Sequence, residues 1–404
     1  MTFDSNIIIK DFPIISDNPN MAFLDSAASS QKPRSVIEKV DHYYKAQNAN
    51  IHRGIYALSE KATAEFEDAR KLVAKFIHVP DENEVIFTRG TTESINLVAM
   101  TWGRKFLTKD SEVVLTVCEH HSNIVPWQIL ADEIGFKIKY IPLNSDVRLD
   151  LEAAKKLINE KTKLVSFGHV SNVLGIIHPV KEIIKLAKSV GATTLLDGAQ
   201  AVPHLDVDVK ELDCDFYSFS SHKILGPTGV GVLYGKREVL ESMPPYQGGG
   251  DMIETVTLEG STWSEIPHKF EAGTPNIAGV IGTGEAVKYL MAIDRRAALK
   301  HDLELGSYLL DELSKFKHIK TFIKKREEWV GVVTFTHSEI HAHDLASMCD
   351  RENVCVRAGH HCAMPLMKEL GVSSTLRASP YIYNTKKDID ALLKALTKAE
   401  DLFM

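Results

Sequence analysis

The chain has 404 residues, 44% hydrophobic and 25% charged, which is typical of a globular protein large enough for two domains. Its formal charge is −7 and no basic block resembles a nucleic-acid-binding stripe, so we expect no nucleic-acid partner. The chain has no apolar run of roughly 18 residues, no signal-peptide core near the N-terminus and only five cysteines, which predicts a cytoplasmic protein with no membrane partner and no disulfide framework.

From about residue 84, short apolar runs alternate with amphipathic segments, which predicts strands and crossover helices around a mostly parallel sheet. A helix is predicted from Pro179 to Ser189, because proline fits the first helical turn. The predicted strands are Glu84–Phe87, Val113–Val117, Lys137–Ile141, Leu164–Gly168, Thr193–Leu196, Phe216–Phe219 and Gly231–Tyr234.

After about residue 285 the pattern changes to a long polar helical region followed by shorter elements. We predict a helix from His343 and a final helix from Lys386, with Asn384 and Thr385 as candidate caps. Extended segments are expected at Val332–Thr336, Val354–Arg357 and Thr375–Tyr383. The sequence therefore predicts an α/β fold with a large domain, residues 20–290, and a smaller α+β domain, residues 1–19 and 291–404.

Lys223 and Asp197 are the most informative pair of residues. Asp197 follows an apolar strand, and Lys223 follows the next strand in the segment Ser220–Gly229. A lysine forms a Schiff base with an aldehyde cofactor, and a carboxylate beside a pyridine nitrogen keeps that ring protonated. Either residue alone is ordinary loop or turn chemistry. Together they predict a pyridoxal-phosphate site.

Other polar residues follow strands of the same predicted sheet, where functional groups gather in such folds. Thr91 and Thr92 begin a helix, where backbone N–H groups favour a phosphate; the alternative is a simple threonine cap. Ser220 and His222, beside Lys223, offer further phosphate contacts. His120 can stack on a pyridine ring, and a metal site at His120 and His121 is disfavoured because adjacent strand side chains diverge.

Two candidates lie near the C-terminus. Cys362 lies in a loop-like segment beside two histidines, which favours a reactive thiol over a core thiol. Arg377 stands alone among apolar residues, so it either pairs with a structural carboxylate or binds the carboxylate of a substrate.

These residues occur in longer motifs that resemble the class V pyridoxal-phosphate enzymes, most closely the SufS-type (type II) cysteine desulfurases. The resemblance is nearly full length. It runs through the segments Phe23–Ala28, His52–Ile55, Glu119–Trp127, His169–Gly175, Phe270–Asn276 and Gly359–Ala363. It implies the fold type I architecture, with a large and a small domain.

The resemblance also implies roles for individual residues. Lys223 would carry the cofactor, Asp197 and Gln200 would contact its ring nitrogen and hydroxyl, and His120 would stack on it. Cys362 would accept sulfur from L-cysteine as a persulfide, leaving L-alanine. The implied phosphate ligands are Thr92, Ser220 and His222, with Thr274 from the second subunit of a homodimer; the implied substrate-binding residues are Arg377, Asn172 and His52.

The implied function is to supply sulfur for iron–sulfur cluster assembly through a SufE-like or SufU-like acceptor protein. The motif containing His341 and His343 resembles relatives that exchange a zinc ligand with such an acceptor; the alternative is a histidine-rich helix start. The runner-up function is a selenocysteine lyase or another class V enzyme, which would not need Cys362. A catalytically silent scaffold is disfavoured, because lysine, acid, histidine and cysteine occur together.

Overall fold

The computed structural model describes residues 3–404. Its strands are β1 Ala22–Phe23, β2 Val85–Thr88, β3 Glu112–Thr116, β4 Lys137–Ile141, β5 Thr162–Gly168, β6 Thr193–Asp197, β7 Phe216–Ser220, β8 Gly231–Gly235, β9 Ile253–Val256, β10 Ser261–Trp263, β11 Ile319–Thr321, β12 Val333–His337, β13 Val354–Cys355, β14 Arg357–Gly359 and β15 Thr375–Ala378.

Helices cover much of the remaining chain. They are α1 Ser5–Ile8, α2 Pro13–Ser16, α3 Arg34–Ala46, α4 Ala57–Phe76, α5 Thr91–Val98, α6 Arg104–Phe106, α7 Val125–Ile134, α8 Leu151–Leu157, α9 Val180–Ser189, α10 Val209–Leu212, α11 Arg237–Ser242, α12 Ile277–Ala292, α13 Arg295–Leu313, α14 Ala342–Arg351, α15 Met364–Glu369 and α16 Lys386–Phe403. Within residues 3–404, none is both long and apolar enough to cross a bilayer.

The seven predicted strands form one sheet in the order β2-β8-β7-β6-β5-β3-β4, which confirms the mostly parallel architecture. Strand β8 is antiparallel to both of its neighbours, and the other pairs are parallel. Consecutive residues of β3, Val113 and Val114, are fully buried in two different apolar clusters. The sheet is therefore covered on both faces, as parallel sheets require.

The C-terminal part contains an antiparallel sheet in the order β11-β12-β15-β14. The predicted strand Val354–Arg357 is wrong as a single element, because β13 pairs with β1 whereas β14 pairs with β15. The extended segment predicted to reach Tyr383 ends at Ala378, two residues before Pro380, which has no N–H to continue a ladder. Helix α16 begins as predicted, and the Thr385 N–H donates to the Asp388 carboxylate over 2.7 Å.

Candidate active site

A cavity of about 180 Å³ lies where strands β3, β5, β6 and β7 end. It brings together most of the residues that the sequence singled out. Its lining includes Thr91, Thr92, His120, Asn172, Asp197, Gln200, Ser220, His222, Lys223 and Arg377.

Lys223 ends a single turn, Ser221–Lys223, that follows β7 directly. Within residues 3–404, its amine makes no hydrogen bond or ion pair. Burial lowers the pKa of Lys223 to about 8, against the opposing influence of Asp197 and with smaller contributions from Arg377 and Arg357. An amine whose pKa lies close to neutral pH and which has no hydrogen-bond partner is suited to nucleophilic and proton-transfer chemistry.

Asp197 is the last residue of β6, and one of its carboxylate oxygens accepts from the Ala199 N–H over 2.9 Å. Burial raises the pKa of Asp197, and the Lys223 ammonium opposes that shift. A buried carboxyl of this kind needs a cationic partner, such as a protonated ring nitrogen. Nearby, the Gln200 amide donates to the Ala27 carbonyl over 2.6 Å.

The expected phosphate site lies at the start of α5. The Thr91 N–H donates to Ser220 Oγ over 2.9 Å, and the two hydroxyl oxygens are 2.7 Å apart. The backbones of β8 and the residue before α5 nearly touch here, since a Cβ added to Gly231 would lie 2.4 Å from Gly90 Cα. Burial first, and then Lys223 and Lys32, lower the pKa of His222 to about 4, so its imidazole is neutral at pH 7.

His120 is fixed by its neighbour. The Ser122 N–H donates to His120 Nδ1 over 3.1 Å, so Nδ1 is an acceptor and the proton of the neutral ring is on Nε2. Burial, followed by Lys223 and other nearby cations, lowers the pKa of His120 to about 3. A neutral ring is suited to the stacking role that the sequence suggested for His120. The rings of His120 and His121 are 6.4 Å apart, and residues 3–404 contain no group of three or more metal-ligating side chains.

Two arginines reach the cavity from adjacent strands, since Arg357 on β14 pairs in register with Arg377 on β15. Arg377 donates to the Asn172 carbonyl over 2.7 Å and to the Asp25 carboxylate over 3.0 Å. Its Nε is buried and has no partner. The structural ion pair weighed from the sequence is therefore present, and one N–H remains available for a ligand.

Sequence reasoning assigned no role to Arg357. A correct prediction that β14 pairs with β15 would have placed Arg357 opposite Arg377 and so indicated it. Its guanidinium makes no ion pair with any residue between 3 and 404, and its Nη2 lies 3.7 Å from Cys362 Sγ. Cation and thiol thus meet at the edge of the cavity.

Cys362 lies between β14 and α15, where His361 and Cys362 have φ angles of +51° and +56°. Such conformations cost non-glycine residues free energy and are concentrated at functional sites. The Asn172 amide donates to the His361 carbonyl over 2.7 Å, and the His121 N–H donates to the Cys362 carbonyl over 2.7 Å. Cys362 is half-buried and unpaired.

The other four cysteines are also free, which agrees with the expected absence of a disulfide framework. Cys118, Cys214 and Cys349 are buried, and burial raises the pKa of each thiol. Their burial indicates that these three pack as small hydrophobic residues. Cys355 is only partly buried.

Glu119 is a second residue that sequence reasoning left without a role. This fully buried carboxylate accepts from the Asn123 amide over 2.6 Å and from the Gly168 N–H over 3.2 Å, and it also lines the cavity. Burial raises the pKa of Glu119 to about 7, and the nearby Asp197 adds to the shift. The residue joins the ends of β3 and β5 directly beside His120.

Three expected site residues do not line this cavity, and Cys362 is one of them, at the edge beside Arg357. His52 Nε2 is 2.9 Å from Glu67 Oε1, and Thr274 is exposed beside a separate cavity. Within one chain the structure therefore does not bring either of them to Lys223.

The cavity fits the expected pyridoxal phosphate. It offers an amine without a partner, a buried carboxyl without a cation, and hydroxyls at a helix N-terminus, which match an aldehyde, a pyridine nitrogen and a phosphate. Residues 22–392 match the family described as aminotransferase class-V. The chain belongs to this family.

Relatives and solved structures agree. A protein of Halalkalibacterium halodurans named probable cysteine desulfurase is 50% identical over 399 residues, covering 98% of both chains. The crystal structure of the cysteine desulfurase CsdA from Escherichia coli has a TM-score of 0.94 at 39% identity, covering both chains fully. A structure of C-DES with glycine covalently linked to its pyridoxal-phosphate cofactor has a TM-score of 0.84 at 21% identity, covering 96% of this chain and 98% of the other. The expected fold type I architecture is confirmed.

Proposed function

We propose that the chain is a pyridoxal-phosphate-dependent cysteine desulfurase that converts L-cysteine to L-alanine and retains the sulfur as a persulfide on Cys362. One observation carries the proposal: a single cavity combines a partnerless lysine amine, a buried acid and two guanidinium groups, and a thiol lies 3.7 Å from one of them. The 50% identical relative named probable cysteine desulfurase supports the same activity.

When bound, pyridoxal phosphate supplies an aldehyde for the substrate amine and a ring that accepts electrons from the substrate Cα. Lys223 holds the cofactor and then takes and returns the Cα proton, for which a pKa lowered to about 8 is suitable. Asp197 would pair with the ring nitrogen, Gln200 would contact the ring hydroxyl, and neutral His120 would stack on the ring. The phosphate ligands in this proposal are Thr91, Thr92, Ser220, His222 and the partner copy's residue equivalent to Thr274.

The substrate carboxylate binds beside Arg377, whose buried Nε has no partner, and beside Asn172. Cys362 Sγ attacks the substrate sulfur, so an S–S bond forms as the Cβ–S bond breaks. The electron pair stays on Cβ, which takes up a proton, and the two sulfur atoms are left at the persulfide level. Arg357 is positioned to stabilise negative charge on sulfur during this step.

Assembly as a homodimer explains why His52 and Thr274 lie away from the cavity of their own chain. The segment that follows His52 exposes Ile55, Tyr56 and Leu58, which are 96%, 53% and 41% exposed. Clustered exposed apolar side chains of this kind favour a protein interface. In a dimer, His52 would contribute to substrate binding and Thr274 to phosphate binding in the partner's site.

The finer assignment is to the SufS type, with sulfur passed to a SufE-like or SufU-like acceptor for iron–sulfur cluster assembly in the cytoplasm. His341 and His343 are both exposed, and their rings are 5.0 Å apart. Their exposure supports contact with a zinc-bearing acceptor. Residues 20–290 would form the large domain, and residues 1–19 and 291–404 the small one.

The decisive experiment incubates the purified protein with L-cysteine and follows alanine and protein mass. We expect alanine to form and Cys362 to gain one sulfur atom. Cys362→Ala should keep the visible absorbance of the bound cofactor but lose desulfuration, whereas Cys355→Ala, a matched control on a neighbouring strand, should behave like the unchanged protein. Full turnover by Cys362→Ala, with L-cysteine or L-selenocysteine, would instead favour a lyase that needs no thiol.

A further inference from the structure

The backbone carbonyl of His222, in the peptide group that joins His222 to Lys223, receives an unusual number of donors. The Ser30 N–H donates to it over 3.0 Å and the Ser30 hydroxyl over 3.0 Å. The Ser29 hydroxyl and the Lys32 ammonium each approach over 3.2 Å. A carbonyl oxygen has two lone pairs, so four donors within 3.2 Å saturate it as an acceptor and restrict this peptide group more than a single bond would.

Lys32 is a cation without an acid. It makes no ion pair with any residue between 3 and 404, and its other partners are Ser29 Oγ at 3.3 Å and the Ser30 carbonyl. Burial lowers the pKa of Lys32 to about 8. Partly removing an ammonium from water without a counter-ion is unfavourable, so the three oxygen acceptors around Lys32 must offset that cost.

The same segment also contacts Leu225, just after the turn, and Tyr383, near the C-terminus. The Leu225 N–H donates to Ser30 Oγ over 2.8 Å, and Leu225 has φ +67°, a strained conformation for a branched side chain. In addition, the Gln31 N–H donates to Tyr383 Oη over 3.0 Å, and Tyr383 lies a few residues beyond Arg377 in the chain. The segment therefore connects the turn that carries Lys223 with the C-terminal elements that carry the arginine.

We propose that Ser29, Ser30 and Lys32 are positioning residues for Lys223, which hold its peptide group so that the amine stays in the cavity during proton transfer. This inference rests on the role proposed above for Lys223. The three residues act through the His222 carbonyl and do not line the cavity themselves. Loosening them should affect the proton-transfer step more than substrate binding, which depends on Arg377.

The main test replaces Lys32 by methionine, which keeps a long apolar stem and removes the ammonium. In the cofactor-loaded enzyme we expect kcat for desulfuration to fall about tenfold or more, because displacements of about 1 Å at a reacting group have effects of this size. KM for L-cysteine should stay within about twofold. Lys32→Arg should recover part of kcat. Lys45→Met, on the exposed surface of α3, is the matched control and should change neither constant.

A second measurement does not depend on activity. Hydrogen–deuterium exchange of residues 222–226 in the loaded full-length enzyme should speed up in Lys32→Met and in Ser30→Ala, while exchange in β6 stays unchanged. The Ser30→Ala variant decides the matter if Lys32→Met fails to fold. Unchanged exchange and unchanged kcat in the variants would overturn the positioning role. Loss of cofactor absorbance in Lys223→Ala, measured alongside, separates that outcome from failure of the proposed function.

Discussion

Lys223 ends a short turn that follows β7, an inner strand of the seven-stranded sheet. Cys362 lies in a loop next to β14, an edge strand of the smaller antiparallel sheet. The peptide group of Lys223 is held by four donors. The loop of Cys362 is held instead by bonds spread along it, among them those from the Asn172 amide to the His361 carbonyl and from the His121 N–H to the Cys362 carbonyl. It contains two consecutive residues with positive φ, each at a cost of about 1–3 kcal/mol.

The difference matches what each group does in the proposed reaction. Lys223 exchanges a proton with one fixed atom of the substrate, so a rigid base is an advantage. Cys362 must meet the substrate and later an acceptor protein, so a loop is better suited than a strand end. The proton-transfer group and the sulfur acceptor therefore lie on two different kinds of structural element.

Replacing Lys223 should have the largest effect at the rigid end. Lys223→Met should abolish desulfuration, because no other amine lines the cavity within residues 3–404. Steady-state alanine formation measures this loss, and activity above background would contradict the assignment.

The same substitution should stabilise the cofactor-free protein at pH 7. The folded pKa of Lys223, about 8, lies below the ordinary value of 10.5, so the unfolded chain binds more protons between those values. Lys223 should therefore add up to about 3 kcal/mol to the free energy of unfolding as pH rises from 8 to 10.5. This contribution should be absent from the variant, whereas the similar contribution of Lys32 should remain. Urea unfolding across this pH range measures the difference between the two proteins.

Arg377→Lys tests the proposed binding of the substrate carboxylate. A lysine carries its three N–H donors on one nitrogen and cannot reproduce the planar fork with which Arg377 reaches Asp25, the Asn172 carbonyl and a substrate carboxylate. We therefore expect kcat/KM for L-cysteine to fall about 10- to 100-fold, mainly through KM. Arg351→Lys at the end of α14 is the control. A loss confined to kcat would place the substrate carboxylate elsewhere.

Arg357→Gln tests the environment of the Cys362 thiol. Removing the guanidinium 3.7 Å from Cys362 Sγ should slow alkylation of that thiol several-fold at pH 7, because a nearby cation stabilises negative charge on sulfur. Mass spectrometry of iodoacetamide-treated protein reports Cys362 and Cys355 together, and the Cys355 rate should not change. Equal slowing at both thiols would indicate a general structural change.

Glu119→Gln should have the smallest effect on turnover. The folded pKa of Glu119, about 7, lies above its ordinary 4.5, so the folded state binds more protons between these values and stability falls as pH rises. The free energy of unfolding of the variant, relative to the unchanged protein, should therefore increase by about 1–3 kcal/mol from pH 4.5 to 7. A constant difference would show that Glu119 stays ionised across this range.

The sequence was most informative where a local pattern determines the structure. All seven strands of the large sheet were predicted, because buried strands give short apolar runs between helices. Lys223, Asp197 and His120 follow such strands, so their convergence could be expected from the topology.

The rest depended on contacts between residues far apart in the chain. Arg357 lies opposite Arg377 only through strand pairing, and the split of the predicted strand near Val354 depends on its pairing with β1. Likewise, no pattern in the segment around Lys32 indicates that it donates to a carbonyl 190 residues away. The roles of His52 and Thr274 stay predictions, since a single chain does not bring them to the cavity.

Asn172 gives its amide a double duty. One of its two N–H groups holds the carbonyl just before the thiol residue, and the other remains free to meet a bound amino acid. In the proposed reaction, the Asn172 amide would therefore contact both the bound substrate and the loop of Cys362. It would thus help to set the distance between the substrate sulfur and the Cys362 thiol. The separation of the two sulfur atoms would then depend on the position of a single side chain.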